Sequence, residues 1–175
     1  MVAVQYVSTP ENHKIEMRGI LSCVDEEFVP PLTGEFRENI TRTDEEGGQT
    51  DIEGYVQRCL ERPLIGAILD GRLVGLLSFE HIDNAPPIEP YTPTNHVEII
   101  AVHPEYRGQG LATEMYNYVI EELPSELSRP HISTKTWDSN TRHIEILDRF
   151  GFKLVHREPD DRGPGVDTVY YARST

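Results

Sequence analysis

The chain of 175 residues carries 30 acidic and 16 basic side chains and has a formal net charge of −14 at pH 7. Its length suits one domain with a sizeable core, so we expect a single domain over residues 1–175. The acidic balance argues against a nucleic-acid-binding protein, which needs a basic patch, and no apolar run in the sequence approaches the roughly 20 residues of a membrane span.

The first third of the chain predicts one strand, two helices and a polar loop. Alternating apolar residues predict a strand over Val2–Ser8. The dipeptide Thr9-Pro10 is typical of a helix start, and we expect this helix to run to about Glu27. The stretch Thr41–Asp51 is polar and contains glycine, so we interpret it as a loop with a solvated acidic run. A short helix should follow over Ile52–Glu61.

A β-hairpin is the clearest local pattern in the middle of the chain. Leu64–Leu69 and Leu73–Glu80 predict two strands, and Asp70-Gly71 between them is a strong two-residue turn signal. Four prolines make Asp83–Pro93 an irregular loop. The apolar segment Val97–Val102 then predicts a fourth strand.

A glycine-rich turn follows this fourth strand and leads into an amphipathic helix. After His103-Pro104, the residues Arg107–Ala112 read Arg-Gly-Gln-Gly-Leu-Ala. Backbone N–H groups at a helix N-terminus attract anions, and Gly108 and Gly110 let an anion approach the main chain closely. A Walker loop would need a Gly-Lys-Ser/Thr ending, and a dinucleotide loop would need Gly or Ala where Thr113 stands. The turn therefore predicts an anion site of another kind.

The helix after this turn should bury one face and end at Pro124. That face is formed by Leu111, Met115, Tyr118 and Val119. The rest of the chain predicts three strands, one helix and one mobile loop. These are a strand over Ile132–Trp137, a helix over Asn140–Phe150, a strand over Phe152–His156, a loop over Pro159–Val166 and a strand over Thr168–Ala172.

Local patterns mark both ends of the last helix. Asn140 is a favoured N-cap residue, and Gly151 is a favoured residue just beyond a helix C-terminus. Ile144, Leu147 and Phe150 fall on one apolar face between them.

Two of these segments resemble the GNAT N-acetyltransferase superfamily. The pattern Arg-x-x-Gly-x-Ala at Arg107–Ala112, after a strand ending in Ala101-Val102-His103-Pro104, is similar to the family's acyl-CoA pyrophosphate loop. The stretch Asn140–Phe152 looks like the family's helix that an Asn opens and a Gly-Phe pair closes. The resemblance implies an α/β fold with a central mixed, mostly antiparallel sheet flanked by about four helices. The predicted order, β-α-α-β-β-β-α-β-α-β-β, matches that fold.

The resemblance also implies acetyl-CoA as the acyl donor and a place for it to bind. The main chain of Ile100, Ala101 and Val102 would hydrogen-bond the pantetheine arm as an added strand does. The pyrophosphate would be held by the backbone N–H groups of Arg107, Gly108, Gln109, Gly110, Leu111, Ala112 and Thr113. The Arg107 side chain either adds a charge-assisted contact or points outward. Asn140 either hydrogen-bonds the pantetheine arm or only caps its helix.

Acetyl transfer to an amine requires a proton acceptor. A free alkyl amine has a pKa of about 10.4, so a general base raises its reactive fraction at neutral pH. Strand alternation puts His96, Glu98, Ile100 and Val102 on one face. GNAT enzymes often use an acid on this strand as the base, so the resemblance makes Glu98 the first candidate and His96 the second. The alternatives are a carboxylate in a salt bridge or in solvent for Glu98, and a surface histidine for His96.

One position departs from the family pattern. Many members carry a Tyr as general acid four residues before the Gly of Gly-Phe, and this chain has Leu147 there, which at helical spacing is a core residue. The thiolate could leave unaided, since a thiol has a pKa of about 8.5. Water, His143 or another Tyr could protonate it instead, although His143 reads as an exposed helix residue. The third alternative is a protein that binds acyl-CoA without turning it over efficiently.

The sequence thus predicts an N-acetyltransferase that moves the acetyl group of acetyl-CoA directly to a primary amine of a small molecule or peptide. The alternative is a non-catalytic acyl-CoA-binding module, favoured by Leu147. A mononucleotide- or phosphate-binding domain is a third hypothesis. We expect no metal site, nucleic acid or membrane partner. The first helices and the loops 83–93 and 159–166 should shape the acceptor pocket.

Cellular context is read from composition. Cys23 and Cys59 are too few for a disulfide framework and are expected to be buried helix thiols. Met1–Lys14 lacks signal-peptide character, so we expect the protein in the cytoplasm.

Only three of the 16 basic residues are Lys, which favours a halophile with an acidic, hydrated surface or else an ordinary acidic protein. Homodimers are frequent in the family, but no feature of this sequence supports one.

Overall fold

The computed structural model describes residues 1–33 and 51–175, so the predicted loop Thr41–Asp51 lies outside the described residues apart from Asp51. Within these ranges the chain forms seven strands and four α-helices, none of them long and apolar enough to cross a bilayer. The strands are β1 Ala3–Tyr6, β2 Leu64–Leu69, β3 Arg72–Ile82, β4 Thr94–Val102, β5 His131–Trp137, β6 Lys153–Glu158 and β7 Thr168–Ser174. The helices are α1 Lys14–Val24, α2 Ile52–Glu61, α3 Leu111–Asn117 and α4 Thr141–Arg149.

The strands form one mixed sheet in the order β1-β2-β3-β4-β5-β7-β6. The pairs β1–β2, β2–β3, β5–β7 and β6–β7 are antiparallel, and β4–β5 is parallel. The mixed, mostly antiparallel sheet with four helices confirms the predicted fold class, and the element order is the predicted one.

The described chain divides into two compact units, of which the first comprises Met1–Phe79 and Ile99–Leu123. In it, α1 and α2 pack on each other, and their apolar faces form a core with residues of β2, β3 and β4. Fully buried members of this core include Met17, Leu21, Val56, Leu64 and Leu76. This core supports the strand from which the glycine turn leaves.

The second unit comprises Glu80–Glu98 and Pro124–Thr175. Its strand β5 pairs with β7 along its whole length and buries Ile132, Thr134 and Thr136. On β7, Arg173 donates from Nη1 to the carbonyl of Phe150 at 2.6 Å, just after α4. Because Arg173 lies opposite Ile132 in the ladder, this bond shows which face of β5 and β7 is turned toward α4.

Two predicted boundaries require correction. The helix expected from Pro10 to Glu27 is α-helical only over Lys14–Val24 and has a 3₁₀ turn at each end. Acidic residues at 25–27 face the negative end of the helix dipole, which disfavours continuing the helix. The helix after the glycine turn changes to a π-helix at Tyr118–Glu122, so the α-helical spacing assumed for its apolar face does not hold there. Tyr118 is expected on that face, but Tyr116 is the tyrosine that is fully buried.

The hairpin turn between β2 and β3 and the burial of the two cysteines are both predicted from local sequence patterns. Asp70 and Gly71 both have positive φ, at 49° and 78°, which confirms the predicted two-residue turn between β2 and β3. Cys59 is buried as expected, and burial raises the pKa of its thiol to about 11. The prediction for Cys23 is wrong, because this residue lies on the solvent side of α1 and is exposed.

Candidate active site

The glycine turn lies between β4 and α3 in the first unit, and residues 107–110 are exposed. Gly108 and Gly110 both have a φ of 78°, a left-handed conformation that costs a residue with a Cβ about 1–2 kcal/mol. A Cβ added at either position would meet no atom of the described residues within 4 Å, so conformation and not crowding requires glycine. The turn therefore presents an uncovered backbone to solvent at the start of a helix.

Arg107 begins this turn and is bonded back to the first unit. Its Nη1 donates to Glu27 Oε1 at 2.7 Å, its Nη2 donates to the other carboxylate oxygen, and its Nε donates to the Val102 carbonyl at 3.3 Å. The hydrogen bond to Glu27 raises the pKa of the guanidinium above its ordinary value. An anion would have to displace Glu27 before it could use this side chain, so the backbone N–H groups remain the first contacts for an anion.

Strand β4 carries the two candidate bases and the main chain expected to pair with a cofactor. Its ladder with β5 runs from Thr94↔His131 to Val97↔Thr134. Beyond this point, Val97, Ile99 and Ala101 are buried, whereas Glu98, Ile100 and Val102 are partly exposed. On the face predicted from alternation, the accessible part therefore starts at Glu98, one position past the last ladder pair, whereas His96 within the ladder is buried.

His96 lies inside the sheet, and the expectation of a surface histidine is wrong. Only 6% of the residue is exposed, and its Nδ1 lies 2.8 Å from the Ser133 hydroxyl, which also accepts from Thr94 Oγ1 at 3.0 Å. The physical reason is that β4 begins at Thr94, three residues earlier than predicted, so β5 flanks His96. His96 is held in place by a buried chain of hydroxyl groups.

Asn140 occupies the N-cap position of α4 but does not cap it with its side chain. Its Nδ2 donates instead to Thr136 Oγ1 at 2.9 Å. Because Thr136 is buried, its hydroxyl needs a partner within the protein, and this demand outweighs the local capping preference. The expected cap is therefore corrected to a strand-to-helix hydrogen bond, which orients the Asn140 amide.

The other end of α4 agrees with prediction. Gly151 has a φ of 77°, its N–H donates to the Asp148 carbonyl at 3.0 Å, and the Phe152 N–H donates to the Leu147 carbonyl at 3.0 Å. These two bonds form a Schellman motif, which fixes where the helix ends. Leu147 is fully buried, whereas Ile144 and Phe150 are partly exposed. Leu147 is thus a core residue, as its helical spacing indicates.

His143 is partly buried, not exposed as expected, because its side of α4 is turned into the protein. Burial lowers the pKa of its imidazole to about 4. At neutral pH the ring therefore carries no extra proton, and His143 is a poor source of a proton for a leaving thiolate. Among the described residues, no group of three His, Cys, Asp or Glu side chains could hold a metal ion.

This shift makes stability depend on pH in the acidic range. The pKa of His143 in the folded protein, about 4, is below its unfolded value of about 6.5. Between these two values the unfolded chain binds a proton that the folded protein does not bind. The contribution of His143 to the free energy of unfolding therefore falls as pH drops from about 6.5 to about 4. Over this range, the slope of the free energy of unfolding against pH approaches about 1.4 kcal/mol per pH unit. Urea unfolding at several pH values should show a flatter slope for His143→Gln. Equal slopes for the parent and His143→Gln would contradict the assignment.

Comparison with known families identifies the fold's relatives. The model of the acetyltransferase (GNAT) family matches residues 27–152, which include the glycine turn and α4. This chain belongs to the acetyltransferase (GNAT) family. The family uses acetyl-CoA, so the acyl donor implied by the turn is confirmed at the family level. GNAT enzymes act on small-molecule or peptide acceptors.

Solved structures share the fold over almost the whole chain. A provisionally named acetyltransferase from Acinetobacter baylyi ADP1 is 18% identical with a TM-score of 0.67, over 100% of this chain and 94% of its own. An aminoglycoside 6'-acetyltransferase type Ii is 17% identical with a TM-score of 0.67, over 98% and 96%. A Salmonella typhimurium protein solved with acetyl-CoA is 14% identical with a TM-score of 0.64, over 99% and 94%. No curated protein matches the sequence.

The structure distributes the predicted site residues of this GNAT chain over both units. The turn Arg107–Thr113 and the strand residues Ile100–Val102 belong to the first unit, whereas His96, Glu98 and Asn140 belong to the second. Sequence reasoning missed two partners, Glu27 for Arg107 and Ser133 for His96. Glu27 and Arg107 are 80 positions apart, and no local pattern pairs them.

Proposed function

We propose that this GNAT protein is an acetyl-CoA-dependent N-acetyltransferase, built as a single domain, which transfers the acetyl group directly to a primary amine. The observation that carries the proposal is the exposed turn between β4 and α3, in which Gly108 and Gly110 hold left-handed conformations. Such a turn presents N–H groups at a helix start and fits the pyrophosphate of CoA. The two free thiols, Cys23 and Cys59, support a cytoplasmic location.

The residues of the chain fit the cofactor in three places. Backbone N–H groups over Arg107–Thr113 would hold the pyrophosphate. The main chain of Ile100–Val102 would pair with the pantetheine arm, because the β4–β5 ladder ends before it, at Val97. In the second unit, Asn140 is the third proposed cofactor contact, because Thr136 orients its amide and leaves its carbonyl oxygen to accept from a ligand. Bound acetyl-CoA supplies a thioester carbonyl and a thiol leaving group.

The proposed catalytic role of Glu98 is that of the general base implied by the family resemblance. The acceptor ammonium gives a proton to the Glu98 carboxylate, directly or through water, and the free amine then attacks the thioester carbonyl. An N–C bond forms, the nitrogen of the tetrahedral intermediate loses its second proton to water, the C–S bond breaks and CoA leaves as the thiolate. Neither Leu147 nor an uncharged His143 supplies a proton, and a thiol with a pKa of about 8.5 is able to leave as the thiolate. His96, held by Ser133, is the second candidate for the base.

A second candidate function rests on Leu147. Because this buried residue stands where the resemblance implies a Tyr general acid, a non-catalytic acyl-CoA-binding module is the alternative. Both candidate functions include binding of acetyl-CoA, but only the acetyltransferase transfers the acetyl group. Substitution of Glu98 separates them, because only an enzyme has a rate to lose.

Calorimetric titration tests the cofactor assignment. Acetyl-CoA is titrated into the protein at low and at molar KCl, with ATP as the control ligand. Micromolar binding selective for acetyl-CoA is expected, and binding only at molar salt would also support a halophilic origin for the acidic composition. Equal binding of ATP would favour a phosphate-binding domain, and no binding at either salt would contradict the proposal.

Alanine at Gly110 should weaken cofactor binding. The left-handed backbone disfavours a Cβ by about 1–2 kcal/mol, so Ala would shift the turn away from the conformation that presents its N–H groups to an anion. We expect the Kd for acetyl-CoA to rise by about 10- to 100-fold, measured by the same titration.

The chain offers a matched control for Gly110→Ala. Gly71 in the hairpin turn also has a φ of 78° and no atom of the described residues within 4 Å of an added Cβ. Gly71→Ala should therefore lose the same stability in urea unfolding and keep the parent's Kd. If both variants bind acetyl-CoA like the parent, the turn is not the pyrophosphate site.

A further inference from the structure

The C-terminal end of α1 contacts the segment that leads from β4 into the glycine turn, and both belong to the first unit. The Cys23 Sγ lies 3.8 Å from Nε2 of His103, the residue that follows β4. Four positions further along each segment, the Glu27 carboxylate accepts from both terminal nitrogens of Arg107. Because the two contacts are four positions apart on both segments, the start of the turn runs alongside the end of α1.

Arg107 forms three hydrogen bonds in this region. Two go to Glu27 in the paired arrangement that fixes the plane of a guanidinium group, and the third goes from Nε to the Val102 carbonyl at 3.3 Å. The side chains of Arg107 and Glu27 are 34% and 49% exposed. An ion pair this open to solvent contributes little to the stability of the whole fold, so we expect its effect to be local.

The glycine turn is the part of this region that needs a restraint. Glycine loses more conformational freedom on ordering than any other residue, and Gly108 and Gly110 stand close together here. The segment is held before the turn, where the His103 N–H donates to a carbonyl of β3 at 2.9 Å, and after it, where the Glu114 N–H donates to the Gly110 carbonyl at 2.9 Å. Between these points Arg107 directly precedes Gly108, so its side chain fixes where the glycine stretch begins.

Two roles of Arg107 predict opposite effects of Glu27. If the guanidinium bound a phosphate of the cofactor directly, Glu27 would compete with that phosphate, and removing its charge would tighten binding. If Glu27 instead holds Arg107 so that the turn is already ordered, removing its charge would weaken binding, because the turn would then lose freedom when the cofactor binds. The hydrogen bonds of Arg107 run to Glu27 and Val102, back toward α1 and β4, which favours the second role.

We propose that Glu27 is a positioning residue for the cofactor, which acts through Arg107 to hold the glycine turn in the conformation that binds the pyrophosphate of acetyl-CoA. This inference rests on the proposed function and adds to it a residue that lies outside the turn. The backbone N–H groups of the turn bind the phosphate oxygens, and the Arg107 side chain stays bonded to Glu27 in the complex. Ordering the turn before the cofactor arrives lowers the entropic cost of binding.

Calorimetric titration of acetyl-CoA into single and double variants tests this proposal. Glu27→Gln and Arg107→Gln should each raise the Kd about 2- to 5-fold, the size of effect that an exposed ion pair supports. The double variant should bind like either single variant, because each substitution removes the same restraint. Arg107→Lys should resemble Arg107→Gln, since Lys keeps the charge but not the paired geometry.

A second ion pair on α1 provides the matched control. Arg18 on α1 donates from Nε and Nη2 to the two carboxylate oxygens of Glu53 on α2, and the two side chains are 44% and 53% exposed. This pair joins α1 to α2 rather than to the turn. Arg18→Gln and Glu53→Gln should keep the parent's Kd, and urea unfolding should show that all of these variants remain folded.

The other outcomes each overturn the proposal. Parent-like or tighter binding by Glu27→Gln, with weaker binding by Arg107→Gln, would show that Arg107 contacts the phosphate itself. Losses that multiply in the double variant would show that the two side chains act separately, and an equal loss in the Arg18 and Glu53 variants would show a general effect of losing an ion pair. No binding of acetyl-CoA by the parent would contradict the proposed function as well, whereas binding by the parent with an unchanged Kd in every variant contradicts only the role of Glu27.

Discussion

Glu98→Gln should lower kcat/KM for amine acetylation by about 10²- to 10⁴-fold, the usual contribution of a general base. Gln keeps the size and hydrogen-bonding reach of the side chain but cannot accept the proton of the amine. The parent should lose rate toward acidic pH as Glu98 becomes protonated. The variant should lack that limb, so the pH–rate profile changes shape as well as height.

A control variant shows whether the loss of kcat/KM is specific to Glu98. Glu126 is exposed on the segment before β5, and Glu126→Gln should keep the parent's rate at every pH. Equal rates for Glu98→Gln and parent across pH would exclude Glu98 as the base. In that case His96→Gln is decisive, because the buried histidine is the second candidate.

Leu147→Ala should destabilise the fold by about 2–5 kcal/mol, the range for removing a fully buried Leu side chain. Urea unfolding followed by the fluorescence of the single tryptophan, Trp137, measures this loss. Leu154 on β6 is 48% exposed, and Leu154→Ala should change stability by no more than about 0.5 kcal/mol.

The same variant tests whether Leu147 takes part in chemistry. The account places it in the core, so the folded fraction of Leu147→Ala should acetylate amines with a kcat within about twofold to threefold of the parent. A stable variant with a large loss of kcat would show that Leu147 lines the reacting groups. Equal destabilisation by Leu147→Ala and Leu154→Ala would contradict its assignment to the core.

Short-range patterns predicted much of the architecture. The turns at Asp70-Gly71 and Gly151 could be predicted because a left-handed backbone conformation depends on only one or two residues. The predicted helix Ile52–Glu61 has the observed bounds, and its cap is local too, since Asp51 accepts from the Gly54 N–H at 2.8 Å. Such features need no knowledge of the rest of the fold.

The errors arise where distant residues compete with local preferences. Asn140 has a good capping side chain, yet a buried threonine hydroxyl on β5 takes its amide. His96 is polar and stands near a proline-rich loop, yet an earlier start of β4 buries it beside Ser133. Arg107 is tied to Glu27 by contacts that span 80 positions. Each outcome depends on tertiary neighbours that no sequence window contains.

Product analysis by mass spectrometry tests the central claim most directly. Isotopically labelled acetyl-CoA is incubated with the protein and a panel of small primary amines and peptides, and released CoA thiol is counted beside the acetylated product. The account predicts one CoA released for each labelled product, with an amide that resists hydroxylamine, and product formation about 10²- to 10⁴-fold slower in Glu98→Gln. Bound acetyl-CoA with no CoA release above buffer, or a hydroxylamine-sensitive ester as product, would contradict direct N-acetyl transfer.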